Sequence, residues 1–414
     1  MEIKERQIDQ YIWDEEIIGK KMVFLSGPRQ IGKTTYAKSL IKRRFPGDYF
    51  NWDNPQIRKN FTEDPFFFLK NYQAGEFLVI FDEIHKRHQW KDILKGACDS
   101  VDPDIRFLVT GSARLEWFRK SGDSLIGRYA HFHLLPLSLS ELLNQNIKEL
   151  WLCREDDWKD PTVSFLEWLE ESKTQKNYRD TFEHLLQFGG FPEPAARAST
   201  RFLNKWKKDY ITLLVTEDLR ELSNIKDIDR MESIIRLLPE HTGNPLSISS
   251  LAGDIGSNYH TVKNSIQQLE KLWLLFMVPP WHKRLNRTIR KEPKYYFTNW
   301  IYIKDEGIRL ENLIATHLLK ACILWTDCGF GDAGLWYIRN FDGGEIDFLI
   351  TLNNKPALLV ESKTSRDRIS KPARNFQKHI GVPLIQTVNR PGIYKKLDEN
   401  TFILSIERFL SLIP

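Results

Sequence analysis

The stretch Met22-Val23-Phe24-Leu25-Ser26-Gly27-Pro28-Arg29-Gln30-Ile31-Gly32-Lys33-Thr34-Thr35 decides the fold of the N-terminal region. Val23 to Ser26 has the apolar pattern of a buried strand, and a helical pattern follows through Tyr36 and Leu40. Between the two lies GxxxxGK[ST], the phosphate-binding P-loop pattern in its required place between a strand and a helix. The pattern predicts an ATP site built by Gly27, Pro28, Arg29, Gln30, Ile31, Gly32, Lys33, Thr34 and Thr35.

Each residue type in this loop has a physical role toward a triphosphate. Glycines let backbone N–H groups come close to phosphate oxygens, and the helix N-terminus adds a favourable dipole. Lys33 supplies a positive charge for the β and γ oxygens, and Thr34 is the predicted Mg²⁺ ligand. ATP and Mg²⁺ are therefore the expected cofactors.

A second apolar run, Phe77 to Phe81, ends in Asp82 and Glu83. Two acids at the carboxyl end of a buried strand form a Walker B pattern, and ligands bind at this end in open α/β sheets. Asp82 is expected to hold Mg²⁺ through water. Glu83 is expected to orient and deprotonate the attacking water, which gives hydrolysis rather than binding alone.

A third run, Ile105 to Val109, is followed by Thr110 and Ser112, whose hydroxyls we expect to sense the γ-phosphate. Arg128 is a candidate cationic finger, because the transferred phosphoryl group develops negative charge that an arginine stabilises. A surface arginine is an equally good interpretation of Arg128.

The histidines and cysteines do not predict a structural metal site. His131 and His133 lie on one face of a strand, but no third ligand is nearby, so the pattern favours a partly exposed strand edge over a metal site. The cysteines form no CxxC pair and no zinc-finger spacing, and we interpret them as reduced thiols of a cytoplasmic protein. They are Cys98, Cys153, Cys322 and Cys328.

Composition limits the class of protein. The chain has 414 residues, of which 28% are charged, 41% hydrophobic and 12% aromatic, and its net charge is +5. These values are typical of a soluble globular protein with about two to four domains. The apolar run from Leu272 to Pro280 is shorter than the ~20 residues that cross a bilayer, so no membrane insertion is expected. The mild positive charge is compatible with nucleic acid.

The motifs GPRQIGKTT, VIFDEIHK, VTGSARL, GRYAHFHLLPLSLSEL and GGFPEP resemble those of prokaryotic AAA-type ATPases that carry a winged helix and a restriction-endonuclease-like domain of unknown function. The resemblance covers nearly the whole chain. With the alternation of apolar strands and helical patterns, it predicts an α/β fold with a parallel P-loop sheet. The expected domains are an ATPase core (1–140), a helical lid or linker (141–235), a winged helix-turn-helix (236–300) and a nuclease-like α/β domain (301–414).

The winged helix carries the predicted DNA contacts. Ser247 to Ile255 has the pattern of one short helix, and Ser257 is a plausible N-cap for a second from Asn258 to Leu272. The polar face of the second helix can hydrogen-bond base edges and phosphates, and a basic wing follows the next strand. Winged helices also bind proteins, which leaves that alternative open. The nucleic-acid candidates are His260, Lys263, Asn264, Gln267, Arg284 and Arg287.

In the C-terminal region, a predicted β-hairpin over 335–339 and 344–350 is followed by a strand ending in Glu361-Ser362-Lys363. Asp347, Glu361 and Lys363 fit the D…ExK order of the PD-(D/E)XK nucleases, with Glu311 as an additional acid. The resemblance implies that Asp347 and Glu361 hold Mg²⁺ and that Lys363 positions or activates water. Alone, an ExK pair on a strand is ordinarily a surface salt bridge, and the fold does not guarantee cleavage.

Two functions fit these patterns. The leading hypothesis is an Mg²⁺-dependent ATPase whose cycle repositions the winged helix and the nuclease-like domain on DNA. The alternative is an ATP-dependent signalling or scaffold switch whose C-terminal domains bind a protein partner and do not cleave DNA. A homo-oligomer is compatible with either hypothesis.

Overall fold

The computed structural model describes residues 5–87, 89–111, 125–171, 178–219, 228–281, 292–340, 342–365 and 368–414. The chain divides into two compact units. One is Ile8–Leu135, and the other combines Met1–Gln7 with Pro136–Pro414.

The unit Ile8–Leu135 is built on a parallel sheet with the strand order β2-β3-β4-β1-β5. Its strands are β1 (Met22–Ser26), β2 (Gly47–Asn51), β3 (Phe77–Asp82), β4 (Ile105–Thr110) and β5 (Tyr129–His133). Its α-helices are α1 (Glu15–Ile18), α2 (Lys33–Arg43), α3 (Pro55–Glu63) and α4 (Trp90–Ser100). The predicted α/β fold with a parallel sheet is confirmed.

The central strands β1 and β3 are buried along their whole length, as expected for parallel strands covered on both faces. One face packs on an aromatic cluster in which Phe68 lies 5.3 Å from Phe81 and 5.9 Å from Phe107 between ring centroids. Such ring pairs add about 0.5–1.5 kcal/mol each beyond the area that they bury. The packing fixes β3 and β4, the two strands that end in Asp82 and Thr110.

The second unit contains most of the helices. These are α5 (Leu139–Leu142), α6 (Pro161–Glu171), α7 (Arg179–Phe188), α8 (Pro192–Arg197), α9 (Thr200–Leu213), α10 (Ile228–His241), α11 (Ile248–Asp254), α12 (Tyr259–Lys271), α13 (Glu306–Asp327), α14 (Lys371–Ile380) and α15 (Ile406–Leu410). The stretch predicted as a helical lid or linker, 141–235, is helical over much of its described length. In the described ranges, no helix combines the length and apolar character needed to cross a membrane.

Two sheets complete this unit. An antiparallel pair joins β6 (Leu275–Val278) to β7 (Lys294–Phe297). A mixed sheet has the order β12-β13-β11-β10-β9-β8. Its strands are β8 (Ala333–Arg339), β9 (Glu345–Leu352), β10 (Lys355–Lys363), β11 (Leu384–Val388), β12 (Tyr394–Asp398) and β13 (Thr401–Ser405). The hairpin predicted over 335–350 is confirmed as β8 and β9, which pair antiparallel.

The structure corrects the start of the second short helix in the predicted winged helix. Asn258, not Ser257, is the N-cap of α12, and its side chain accepts a hydrogen bond from the Thr261 amide at 2.9 Å. Asparagine and serine are both good N-caps, so the sequence alone did not distinguish them. The strand that follows, β6, begins at Leu275.

Candidate functional site

The loop between β1 and α2 has a backbone shape suited to a phosphate. Gln30 (φ 58°) and Gly32 (φ 95°) adopt left-handed conformations. At Gly27 (φ 149°), a Cβ atom would lie 2.1 Å from the carbonyl oxygen of Leu134, so a side chain does not fit. Gly32 is the N-cap of α2, and glycine has no side chain with which to cap the helix. The N-terminus of α2 therefore suits an anion.

Lys33 turns its charged end back into this loop. Its ammonium donates hydrogen bonds to the carbonyl oxygens of Gly27 at 2.9 Å and Pro28 at 2.7 Å. The side chain is only 8% exposed, and a buried ammonium needs such acceptors. Because both acceptors are neutral loop carbonyls, anionic phosphate oxygens can take their place with a gain in electrostatic energy.

The predicted Mg²⁺ ligands come together at the carboxyl ends of the strands. The Thr34 hydroxyl donates to Asp82 Oδ2 at 2.8 Å, although the two residues are 48 positions apart. On the next strand, Thr110 lies opposite Asp82 in the parallel register and donates to Asp82 Oδ1 at 2.5 Å. A hydroxyl and a carboxylate are the hard oxygen ligands that Mg²⁺ prefers, so these residues fit the ion.

A residue that sequence reasoning missed, Tyr49 on β2, also contacts Asp82. Its phenol donates to Asp82 Oδ2 at 2.6 Å, and the Lys38 ammonium lies 4.2 Å from the centre of its ring. Burial, with the hydrogen bond to Asp82 next, raises the pKa of Tyr49, so the phenol stays protonated and keeps donating. Three hydroxyl groups thus hold the Asp82 carboxylate in one orientation.

Glu83 follows β3 in a left-handed conformation with φ 60°. Its carboxylate lies 3.7 Å from the Lys86 ammonium, which also pairs with Asp53 at 2.8 Å. Burial raises the pKa of Glu83, while Lys86 and Lys33 lower it. A raised pKa is the property that a carboxylate base needs to accept a proton near neutral pH.

The remaining candidates of this unit are placed differently. Arg128 forms a two-bond ion pair with Asp99 on α4, with both N···O distances at 3.0 Å. Ser112 lies outside the described residues. The rings of His131 and His133 are 4.4 Å apart, and His131 Nε2 lies 2.9 Å from the Ser26 hydroxyl. Within the described ranges, no group of three or more His, Cys, Asp or Glu side chains is arranged to hold a metal ion.

In the second unit, β9 and β10 bring the three predicted nuclease residues together. Lys363 Nζ lies 3.0 Å from Glu361 Oε1 and 3.9 Å from Asp347 Oδ2. Asp347 Oδ2 also accepts the Ser362 amide at 2.7 Å. Among the described residues, Glu361 Oε2 is buried without a hydrogen-bond partner. An unsatisfied buried carboxylate oxygen beside a second carboxylate fits a divalent cation, since Mg²⁺ is commonly held by one or two carboxylates with water.

The same cluster contains Glu311 from α13 and two residues from β7 that the sequence did not suggest. Tyr296 donates to Glu311 Oε1 at 2.6 Å, and Lys294 Nζ lies 3.4 Å from the same oxygen. Lys294 is 1% exposed and also pairs with Glu345 at 2.5 Å. Burial, followed by the Asp347 charge, raises the pKa of Glu311 to about 7, although Lys294 opposes the rise.

The predicted DNA-facing side chains of α12 are on its outer side. His260, Lys263, Asn264 and Gln267 are exposed, while Val262, Ile266 and Leu269 are buried. Arg284 and Arg287 lie outside the described residues.

Sequence reasoning missed a cleft of about 400 Å³ between α10 and the turn before α12. Its lining includes Arg230, Ser233, Arg236, Asp254 and Ser257.

The nucleotide-site geometry agrees with a comparison to known families. Residues 19–143 match the AAA domain family. The match supports the AAA-type P-loop domain that the sequence predicts for this region, and the family implies nucleotide binding. A second match, over residues 179–300, is to a domain of unknown function, DUF8612.

Similar proteins are known from bacteria and archaea. An uncharacterized protein of Mycobacterium tuberculosis is 23% identical over 369 residues, which cover 86% of this chain and 73% of that protein. An uncharacterized protein of Methanocaldococcus jannaschii is 22% identical over 399 residues, covering 90% of this chain and 82% of that protein.

Among solved structures, the Aeropyrum pernix ORC1 protein in complex with DNA is 15% identical, with a TM-score of 0.29. That match covers 71% of this chain and 86% of the ORC1 chain. A TM-score this low carries no conclusion about the present chain.

The residues missed at the two candidate sites have a common feature. Tyr49 and Lys294 lie on short strands, 33 positions before Asp82 and 17 before Glu311 respectively. They reach these carboxylates through tertiary packing, in one case from strand to strand and in the other from strand to helix. No spacing rule connects a tyrosine or lysine to such a carboxylate. The one available signal was local: Lys294 is a charged residue at the start of the apolar run Tyr295-Tyr296-Phe297.

Proposed function

We propose that this protein is an Mg²⁺-dependent ATPase that acts on DNA through a winged helix (236–300) and a nuclease-like domain (301–414), with 1–140 as the ATPase core and 141–235 as a lid or linker. The observation that carries the ATPase proposal is the 2.8 Å contact between Thr34 and Asp82 beside the P-loop. In this contact a P-loop hydroxyl lies within hydrogen-bond distance of the predicted Walker B carboxylate.

In the proposed reaction, Lys33 leaves the carbonyl oxygens of Gly27 and Pro28 and binds the β- and γ-phosphate oxygens of ATP. Thr34 and Asp82 would hold Mg²⁺, which neutralises phosphate charge when bound. Glu83 orients a water molecule and accepts its proton as the water oxygen bonds to the γ-phosphorus. The bond from that phosphorus to the bridging oxygen breaks, and ADP and phosphate result.

Thr110 has two proposed tasks. Its hydroxyl holds Asp82 at 2.5 Å, and it stands at the end of β4 where a γ-phosphate can be sensed. Ser112 and Arg128 are kept as candidates for γ-phosphate sensing and for charge stabilisation. For Arg128 to reach a phosphate, its ion pair with Asp99 has to open, and an exposed pair of this kind contributes only about 0–1 kcal/mol.

ATP turnover with and without duplex DNA tests the ATPase proposal. Lys33→Ala is expected to lose ATP binding, whereas Glu83→Gln is expected to bind ATP and to hydrolyse it roughly two orders of magnitude more slowly. Exposed residues of the same unit supply the matched controls Lys42→Ala and Glu63→Gln, which should behave as wild type. Wild-type turnover in Glu83→Gln would refute the role of that carboxylate.

Support for DNA as the partner comes from the exposed polar face of α12 and from the arginines that line the neighbouring cleft. Each cation that contacts a phosphate contributes roughly one unit to the slope of log affinity against log salt. Replacing Lys263, Arg284 and Arg287 together by alanine should therefore weaken duplex binding and flatten that slope. An unchanged slope, together with tight binding of a protein, would favour the signalling switch.

For the nuclease-like domain we propose that Asp347 and Glu361 hold Mg²⁺ and that Lys363 positions the attacking water. Glu361 Oε2, which has no hydrogen-bond partner in the described part of the chain, supports this assignment. Mg²⁺-dependent cutting of DNA should be lost in Glu361→Ala and in Lys363→Ala. A wild-type protein that never cuts would remove the cleavage proposal while leaving the ATPase proposal intact.

A further inference from the structure

Lys294 is an ammonium group buried among carboxylates. It stands at the start of β7 with 1% of its side chain exposed, and it contacts Glu345 at 2.5 Å and Glu311 at 3.4 Å. Burying an unpaired ammonium costs several kcal/mol, and these two carboxyl groups supply the partners that the position needs. Because the side chain is buried, Lys294 is placed to neutralise neighbours rather than to touch a substrate.

Lys363 is the second ammonium group of the cluster, and it pairs with only one oxygen of the Glu361 carboxylate. It pairs with Glu361 Oε1 at 3.0 Å and approaches Asp347 at 3.9 Å. Glu361 is 3% exposed, yet its other oxygen, Oε2, has no hydrogen-bond partner within the described residues. One half of the cluster is thus neutralised from inside the protein, and the other half has a buried carboxylate oxygen to which a cation can bind.

The net charge of this cluster favours a small number of bound cations. Among the described residues, four carboxylates (Glu311, Glu345, Asp347 and Glu361) face two ammonium groups, which leaves about two negative charges when all are ionised. Arg339, 44% exposed and 3.8 Å from Glu345, adds little because solvent screens it. One divalent cation balances this charge, and a second would leave an excess of positive charge.

We propose that the Lys294 ammonium takes the place of a second divalent cation, so that the C-terminal carboxylate cluster binds one such cation, at Asp347 and Glu361. The inference rests on the proposed nuclease-like metal site and deepens it by fixing its stoichiometry. Packing holds Lys294 in this place: its backbone pairs with Val278 in the β6–β7 sheet, and its ammonium lies 5.5 Å from the centre of the Tyr337 ring.

Counting bound Mn²⁺ by electron paramagnetic resonance tests the proposal in the full-length chain. The measurement uses Asp82→Asn as background, without nucleotide and at pH 8, so that the P-loop site does not contribute. We expect about one Mn²⁺ per chain in this background and about two when Lys294→Met is added. Lys294→Arg, which keeps the charge, should stay at about one, and exposed Lys205→Met is a matched control that should do the same.

The possible results distinguish the role of Lys294 from the existence of the metal site at Asp347 and Glu361. Two Mn²⁺ in the background, or one in Lys294→Met, overturns the role of Lys294. No Mn²⁺ in the background, or one that survives Glu361→Ala, overturns the metal site itself and the inference with it. If Lys294→Met does not fold, the count in the background and in Lys294→Arg still decides, because two ions in either contradict the proposal.

Discussion

Replacing the buried carboxylate of Glu141 by an amide tests how the second unit is held together. Glu141 is 3% exposed and pairs with Arg6 at 2.9 Å and with Lys320 at 2.5 Å. The amides of Gln7 and Ser138 also donate to it, at 3.1 and 3.3 Å. Glu141→Gln keeps the shape of the side chain but removes the negative charge that two buried cations contact, so it should be strongly destabilising.

The size of the effect follows from the electrostatics. Burial alone would raise the pKa of Glu141, but Arg6 and Lys320 outweigh it and lower the pKa from 4.5 to about 2. That difference corresponds to about 3 kcal/mol, and removing one partner of a buried ion pair typically costs about 3–5 kcal/mol. Because the folded-state pKa is depressed, this stabilisation is complete above pH 4.5 and is lost as pH falls through about 2.

Amide hydrogen exchange is the suitable assay, since a chain with two compact units need not unfold in one step. In Glu141→Gln, protection of α5 and of α13 around Lys320 should fall by roughly two orders of magnitude, which is about 3 kcal/mol expressed as an equilibrium constant. Glu193→Gln, an exposed glutamate paired with Arg197 in the same unit, is the control and should change protection little. A loss below about tenfold in Glu141→Gln would contradict the calculation.

Three further predictions concern the ATPase unit. Gly27→Ala should weaken ATP binding at least roughly tenfold, because the new methyl group would lie 2.1 Å from a backbone carbonyl oxygen. Titration with a fluorescent ATP analogue measures the affinity, and a wild-type value would contradict the prediction. Tyr49→Phe removes a hydrogen bond to a carboxylate worth about 1.5–3 kcal/mol, so ATP turnover should fall roughly 10- to 100-fold while Tyr72→Phe stays normal. Arg128→Gln should lower turnover roughly tenfold or more if Arg128 is a finger, whereas Asp99→Asn should not. Equal losses in these last two variants would show that their ion pair, and not a phosphate contact, matters.

Local patterns in the sequence were sufficient for much of the first unit. The runs before Gly27, Asp82 and Thr110 predicted β1, β3 and β4, because a strand buried on both faces has to be continuously apolar. β2 was missed, since GDYFN is half-buried at the sheet edge and has little apolar pattern. The order of the loop, the Walker B acids and Thr110 predicted a shared site, because parallel strands end at the same edge of a sheet.

The sequence by itself determined that β1, β3, β4 and the β8–β9 hairpin are strands, where the P-loop lies, and which carboxylates can meet at the end of β3 and in the β9–β10 pair. These features depend on residues close together in the chain, where strand and helix periods are readable. Only the tertiary structure decided that Tyr49 holds Asp82, that Lys294 neutralises Glu311 and Glu345, and that Arg6 and Lys320 enclose Glu141. Such contacts arise because a buried charge must find a partner, and which distant side chain supplies it depends on how the elements pack.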